Sequence, residues 1–253
     1  MKIISLTYDF NLTKLEEIGR TWAKSVYINK DYIFSYSAAS YATFVDRNPN
    51  YILNVYTDDI FYLKQKLSQY NIDQEKIIYH DITPLLNLCN KDLKYSFDIL
   101  TEFIYQEKSK TDFTLKIDND LVFYRELPYP GENEVFVWKY ERMVYQGNPL
   151  MGEIKVAEEA VGTANFPIYN LGLLGVPPDF PEEDLRKISD KMVKVDISDV
   201  TDLDTKIWHC CEQTANNWIF HINNYKVKEM SPYVTHHFEN KGNCIEFAKY
   251  LIN

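Results

Sequence analysis

The sequence is poor in cysteine, in positive charge and in long apolar runs, and each scarcity narrows what the chain can be. Four cysteines, Cys89, Cys210, Cys211 and Cys244, are spread over 253 residues. Their spacings match no zinc pattern and they are too few for a disulfide scaffold of this size, so a reducing, cytoplasmic setting is expected. Lysine and arginine number 27 against 37 aspartates and glutamates, a formal net charge of −10. Such an acidic chain is a poor general binder of phosphate backbones, which argues against nucleic acid as a partner. It can still hold a single diphosphate if a divalent metal supplies the positive charge. The apolar run at Met1 to Tyr8 soon meets Asp9 and is too short for a signal peptide or a membrane span. Repeats, low-complexity stretches and linkers rich in Gly, Ser or Pro are also missing, and one domain over 1–253 is expected.

What is present is ordinary in bulk and uneven in detail. Hydrophobic residues make up 45% and charged residues 25%, enough apolar content to bury a full core. Twenty tyrosines raise the aromatic share to 15%. Tyrosine has a flat apolar face and a polar tip, suited to sugars and bases, though it is equally an ordinary half-buried residue. The first half alternates strand and helix patterns. Lys2 to Tyr8 reads as a buried strand. A helix follows, starting near Asn11 or Thr13, with Thr13 and Glu16 as a capping box and Leu15, Ile18, Trp22 and Val26 at helical spacing. Tyr51 to Tyr56 is a strand, Ile60, Leu63 and Leu67 mark a helix, and Lys76 to Tyr79 is a short strand. Leu93, Phe97, Leu100 and Ile104 form another helical stripe, and Phe113 to Ile117 is a strand. This alternation predicts an α/β fold: a largely parallel sheet between helical layers, three layers in all. The second half has a β-rich stretch at Glu134 to Tyr140 and an apolar run at Asn165 to Val176. Three helices are expected after it: one beginning near Asp179 and Pro181, one over Cys211 to Ile222, and one through Ala248 and Leu251.

Ligands of open α/β sheets bind at the carboxyl ends of the strands. There the sequence places Leu115-Lys116-Ile117-Asp118-Asn119-Asp120, an apolar strand running into two carboxylates. In an extended segment Asp118 and Asp120 share a face. Two hard oxygen ligands so placed suit Mg²⁺ or Mn²⁺, with positions left over for phosphate oxygens. The alternative is a turn with both aspartates in solvent.

At this point the sequence resembles the GT-A glycosyltransferases, in particular glycosyltransferase family 8 and its relatives. These place a D-x-D after several βα units near the middle of the domain. Three further stretches carry the likeness. Tyr169-Asn170-Leu171-Gly172 looks like the Asn-x-Gly strand lining the acceptor side, which implies roles for Asn170 and Gly172 there. Glu212-Gln213-Thr214-Ala215-Asn216-Asn217 looks like the acidic-Gln helix start that faces the reacting sugar, so Glu212 and Gln213 are the catalytic candidates. His236-His237-Phe238-Glu239-Asn240-Lys241 resembles the C-terminal loop whose His is a third metal ligand and whose Lys touches the diphosphate. In that loop the family usually has a longer spacing from His to Lys, with Gly between them and Pro-Trp after; here Gly242 follows Lys241. The resemblance implies a GT-A-type domain with a donor half over 1–123 and an acceptor half over 124–253. It further implies a nucleotide-sugar donor, UDP-sugar being the expected one, and a glycan or glycolipid acceptor; the lack of a spanning run adds the expectation of a cytoplasmic enzyme that meets any membrane only peripherally.

The chemistry of the residues agrees with this. The leaving nucleoside diphosphate gains negative charge in the transition state, and a cation on Asp118, Asp120 and a histidine, with Lys241 beside it, would stabilise that charge. His236 and His237 are adjacent, so in an extended loop one of them faces the metal; the preference falls on His237, because the Phe follows it. The base would lie over the early strands, where Tyr8 can stack and Asp58 can accept from an imide N–H. Otherwise Tyr8 packs on the sheet edge and Asp58 caps the helix at Ile60. Lys94, at the start of the helix before the D-x-D strand, is a further donor-side candidate. Two rival readings stand beside the transferase. One is a metal-dependent nuclease using Asp120 with Glu153-Ile154-Lys155. The other is a non-catalytic binding module on a degenerate transferase fold.

Overall fold

A computed structural model describes residues 1–9, 29–83, 107–143, 151–196, 198, 211–237 and 240–252. The helices expected around Leu15 to Val26 and Leu93 to Ile104 lie outside these residues, as does Lys94. The elements in chain order are β1 (Lys2–Thr7), α1 (Lys30–Arg47), β2 (Leu53–Thr57), α2 (Ile60–Leu67) and β3 (Ile77–Asp81), then β4 (Thr114–Ile117) and β5 (Leu121–Phe123). The second half contributes β6 (Glu134–Met143), α3 (Met151–Val161), β7 (Pro167–Val176), α4 (Glu182–Val193), α5 (Cys211–Ile222), β8 (Lys226–Glu229), β9 (Val234–His236) and α6 (Gly242–Ile252).

The described strands form a seven-stranded sheet in the order β3-β2-β1-β4-β7-β6-β8, and a separate pair, β5-β9. β1 to β4 are mutually parallel, and β7 alone runs against its neighbours β4 and β6. Alternation along each strand divides the interior in two. Ile3, Leu53, Val55, Leu115 and Ile117 point to the face covered by α1, α2 and α6. Ile4, Leu6, Tyr56, Val135, Val137 and Leu174 point to the face covered by α3, α4 and α5. The architecture is therefore the three-layer α/β/α arrangement that the strand–helix alternation predicts.

The most buried helix is one that the sequence pattern did not disclose. α1 buries an unbroken run from Tyr36 to Val45, along with Ile33 and Phe34. A helix enclosed on all sides has no polar face, so no 3.6-residue stripe stands out in its sequence. Its start is fixed by Asn29, whose side chain accepts from the Tyr32 amide at 2.9 Å. It then ties β5 in place: Thr43 Oγ1 accepts from the Phe123 amide at 3.1 Å, and Asn48 Oδ1 from the Leu127 amide at 2.9 Å. α3, β8 and β9 were not anticipated either. Among the described residues, no helix is long and apolar enough to cross a membrane.

Candidate functional site

The parallel register sets the site. Thr7 lies opposite Thr57, and Ser5 opposite Ile117, so Tyr8, Asp58 and Asp118 all leave the same sheet edge. Because β7 is antiparallel, its first half comes to that edge as well, and the Asp118 amide donates to the Gly172 carbonyl at 2.7 Å. Behind the edge, the enclosed hydroxyl of Tyr41 bridges Ser5 Oγ at 2.9 Å and Thr7 Oγ1 at 2.6 Å. Burial raises its pKa well above that of a free tyrosine, and the nearby Asp118 and Asp120 charges add to the rise.

Asp118 and Asp120 flank a tight turn rather than an extended segment. Asp120 is almost wholly enclosed, at 1% exposure. Burial alone would raise its pKa, but the Lys241 ammonium and His236 outweigh it and hold the carboxyl well below the usual range. The histidine arrives through the β5-β9 ladder, in which Leu121 lies opposite His236 and the His237 amide donates to the Asp120 carbonyl at 3.0 Å. Alternation along β9 turns His236 towards the carboxylates. The ring of His237 instead stacks on Phe247, with centroids 5.4 Å apart. Desolvation lowers its pKa, partly offset by the Asp120 charge. The preference for His237 is thus corrected: the cluster that forms is Asp118, Asp120 and His236, with one ligand atom from each lying within 4.8 Å of the others.

The orientation of His236 is fixed from behind. Asn170 Nδ2 donates to Glu141 Oε1 at 2.7 Å, and Asn170 Oδ1 accepts from the Gly172 amide at 2.9 Å. Both contacts define which end of the amide is oxygen. That oxygen lies 3.2 Å from His236 Nδ1, so Nδ1 carries the proton there. Nε2 then faces Asp120 Oδ1 at 3.0 Å and Asp118 Oδ2 at 3.7 Å. Among the described residues, Asp120 Oδ1 accepts no hydrogen bond of good geometry although it is buried. Two carboxylate oxygens and an imidazole nitrogen so converged call for a positive charge between them. Ligands at about 2.1 Å from one octahedral cation, set at right angles, are about 3 Å apart; Nε2 and Asp120 Oδ1 have that spacing, while Asp118 Oδ2 lies farther off, 3.7 Å from Nε2. A protonated His236 ring would meet the same requirement.

Gly172 makes this approach possible. A Cβ there would lie 2.5 Å from His236 Nδ1 and closer still to Cε1. Trp138 closes the other side, its ring edge-on to His236 with centroids 5.1 Å apart. Asn170 and Gly172, expected on the acceptor side, are therefore in contact with the histidine. The α5 start joins the same chain of contacts, with Gln213 Nε2 donating to Glu141 Oε2 at 3.4 Å. Asn217 clamps α5 onto β7, accepting from the Tyr169 amide at 3.0 Å and donating to its carbonyl at 3.1 Å. Glu212 occupies the first turn of α5; its side chain lies outside the described residues.

Lys241 ion-pairs with Asp120 Oδ2 and lies over the Tyr36 ring, 5.2 Å from its centroid. At the other end of the edge, Asp58 does not cap the following helix. Asp59 does so, accepting from the Tyr62 amide at 2.9 Å. Asp58 Oδ2 accepts from the Asp9 amide at 3.1 Å, while its Oδ1 is buried and has no partner among the described residues. Desolvation, the main cause, raises the Asp58 pKa. Tyr8 is partly buried against the α3–α5 face.

Glu141, Trp138, Tyr41 and Lys116 belong to the site and were not singled out from sequence. Lys116 had a signal: a cation inside an apolar strand, two residues before Asp118 and on the same face. Of the nuclease pattern, Lys155 runs along α3 beside Glu159 at 3.9 Å, and the Glu153 side chain lies outside the described residues.

Fold and site together have the GT-A form, a mostly parallel sheet with an Asp-x-Asp turn at its carboxyl edge. A solved structure bears the fold out. The crystal structure of the galactosyltransferase LgtC with donor and acceptor sugar analogues superposes at a TM-score of 0.52 and 13% identity, covering 100% of this chain and 97% of that one. An active-site mutant of LgtC gives 0.45 at 12% identity over 81% and 69% of the two chains. Mouse xyloside xylosyltransferase 1 in its apo form gives 0.42 at 13% over 90% and 84%. No family model matches the sequence, and no curated protein matches it.

Proposed function

We propose that the protein is a metal-dependent glycosyltransferase that moves a sugar from a nucleoside-diphosphate donor, a UDP-sugar, to a glycan or glycolipid acceptor. The observation that carries this reading is the convergence of Asp118, Asp120 and His236 at the carboxyl edge of a GT-A-type sheet. Their donor set of two carboxylates and one imidazole suits Mn²⁺, and Mg²⁺ as the harder alternative. A cation held there would neutralise charge developing on the departing diphosphate. Asp118 and Asp120 hold the cation, His236 completes the set through Nε2, and Asn170 keeps that nitrogen turned inwards. Tyr8 and Asp58 receive the base, the buried Asp58 Oδ1 accepting from its imide N–H. Lys241 lies where a diphosphate would meet the cation. Glu212 and Gln213, on the first turn of α5, face the sugar, and the acceptor enters over the second half of the chain. The enzyme works in the cytoplasm, reaching a lipid-linked acceptor at a membrane surface.

The test is a panel of UDP-sugars with Mn²⁺, scored for UDP release without acceptor, beside thermal shifts with UDP, with Mn²⁺, with both, and with duplex DNA. Release and stabilisation that need nucleotide and metal together support the reading. Stabilisation by DNA instead would return the nuclease, and UDP binding without turnover of any sugar would return a binding module. Glu212→Gln keeps shape and helix-capping capacity but loses basicity. It should lower transfer by about a hundredfold or more with the melting temperature unchanged. Near-normal transfer would reduce Glu212 to a helix cap.

A further inference from the structure

Among the described residues two lysines, Lys116 and Lys241, touch the Asp-x-Asp turn, and the donor reading above uses Lys241 alone. Lysine is seldom buried unless paired. Lys116 is 5% exposed inside β4, donates to the Leu171 carbonyl at 3.2 Å, and places Nζ 2.5 Å from Asp118 Oδ1. The four charged groups form a regular pattern. Asp118 gives Oδ1 to Lys116 and turns Oδ2 to His236; Asp120 gives Oδ2 to Lys241 and turns Oδ1 to His236. The inner oxygens and Nε2 surround the cation position, and the outer oxygens are already matched by ammonium groups. Two carboxylates and two ammoniums cancel. A divalent cation added to this cluster leaves an excess positive charge in a largely enclosed place, where charge is costly. The excess equals the charge that a nucleoside-diphosphate sugar carries on its two phosphates.

We propose that Lys116 makes cation binding conditional on the diphosphate. It is a positioning residue that cancels the charge of Asp118, so the cation is held firmly only when a diphosphate joins it. The site then closes on the pair of ligands and gives little hold to the metal alone. This rests on the donor reading above, and the experiment separates the two.

Mn²⁺ binding is measured by calorimetry on the full chain, with and without saturating UDP. The variants are Lys116→Gln, which keeps a donor for the Leu171 carbonyl, Lys116→Met as a second neutral form, and Lys116→Arg, which keeps the charge. In the wild type UDP should tighten Mn²⁺ by about tenfold or more, within the usual range of linkage between two ligands. The neutral variants should bind Mn²⁺ alone about tenfold tighter than the wild type and show a correspondingly smaller gain from UDP; Lys116→Arg should behave as the wild type. Neutral variants that melt normally yet match the wild-type Mn²⁺ affinity without UDP would overturn the role of Lys116 and leave the donor reading standing. A wild type that takes up no Mn²⁺ even with UDP would overturn both.

Discussion

The two ends of the binding edge are built differently. At the proposed nucleoside end, Tyr8 and Asp58 are brought together by the register of adjacent parallel strands, and the Asp9 amide donates to Asp58. At the proposed metal end, β4 and its turn supply three side chains, and β6, β7, β9 and the residue before α6 each supply one or two. Lys116, Asp120, Trp138 and Lys241 are buried, Asp118, Glu141, Asn170 and His236 are partly buried, and most are oriented by a further partner. A hard cation tolerates little error in ligand position, whereas a flat base needs a surface and one or two hydrogen bonds.

Removing Asp120 should break this contrast most severely. Asp120→Asn is expected to abolish Mn²⁺-dependent nucleotide binding and also to destabilise the fold, since Lys241 is left buried without its counter-charge. Breaking such a pair by removing one partner typically costs about 3–5 kcal/mol. The double variant Asp120→Asn with Lys241→Met should recover much of the loss in urea unfolding without restoring the metal. Full stability in the single variant would show the pair to be unimportant. The support behind His236 comes next. Asn170→Ala should weaken Mn²⁺ by about 10–100-fold, the usual effect of losing a group that orients a metal-bound histidine. Gly172→Ala should do the same by displacing the ring, with overpacking of about 1–3 kcal/mol. Calorimetry showing wild-type Mn²⁺ affinity in both variants would detach the Asn-x-Gly strand from the metal.

The mildest effect belongs to the nucleoside end. Asp58→Asn keeps an acceptor for the Asp9 amide, so stability should hold. UDP should bind about tenfold more weakly, and its preference over CDP should fall. Mn²⁺ affinity without nucleotide should not change. Equal discrimination of UDP and CDP by variant and wild type would remove Asp58 from base recognition.

Much of the frame was legible because its signals are local. β1, β2 and β4 are short apolar runs, and α2, α4 and α5 carry helical stripes or capping residues near their observed starts. The Asp-x-Asp turn stood out by following a buried strand. Other parts depend on tertiary structure. α1 is apolar on every side and has no periodic contrast. β9 spans Val234–His236, too few residues to announce a strand, so the alternation that selects His236 over His237 was invisible. Lys116 carried a signal, a cation inside an apolar strand, but its pairing with Asp118 exists only once the sheet encloses it. Asn170 and Gly172 were found by resemblance, but their contact with the histidine exists only once β7 and β9 meet.

The ribbon formed by β5 and β9 also bears on the order in which the site can assemble. It joins Leu121 to His236, and the Lys241–Asp120 pair spans 121 positions of sequence. Contacts so distant are entropically expensive to close and form late. On the ribosome, the Asp-x-Asp turn emerges well before its histidine and its lysine, and the parallel sheet can assemble in the interval. A partly synthesised chain would therefore hold the edge proposed to bind the base while lacking His236 and Lys241. The Asp118, Asp120 and His236 cluster is complete only when the distal segment docks.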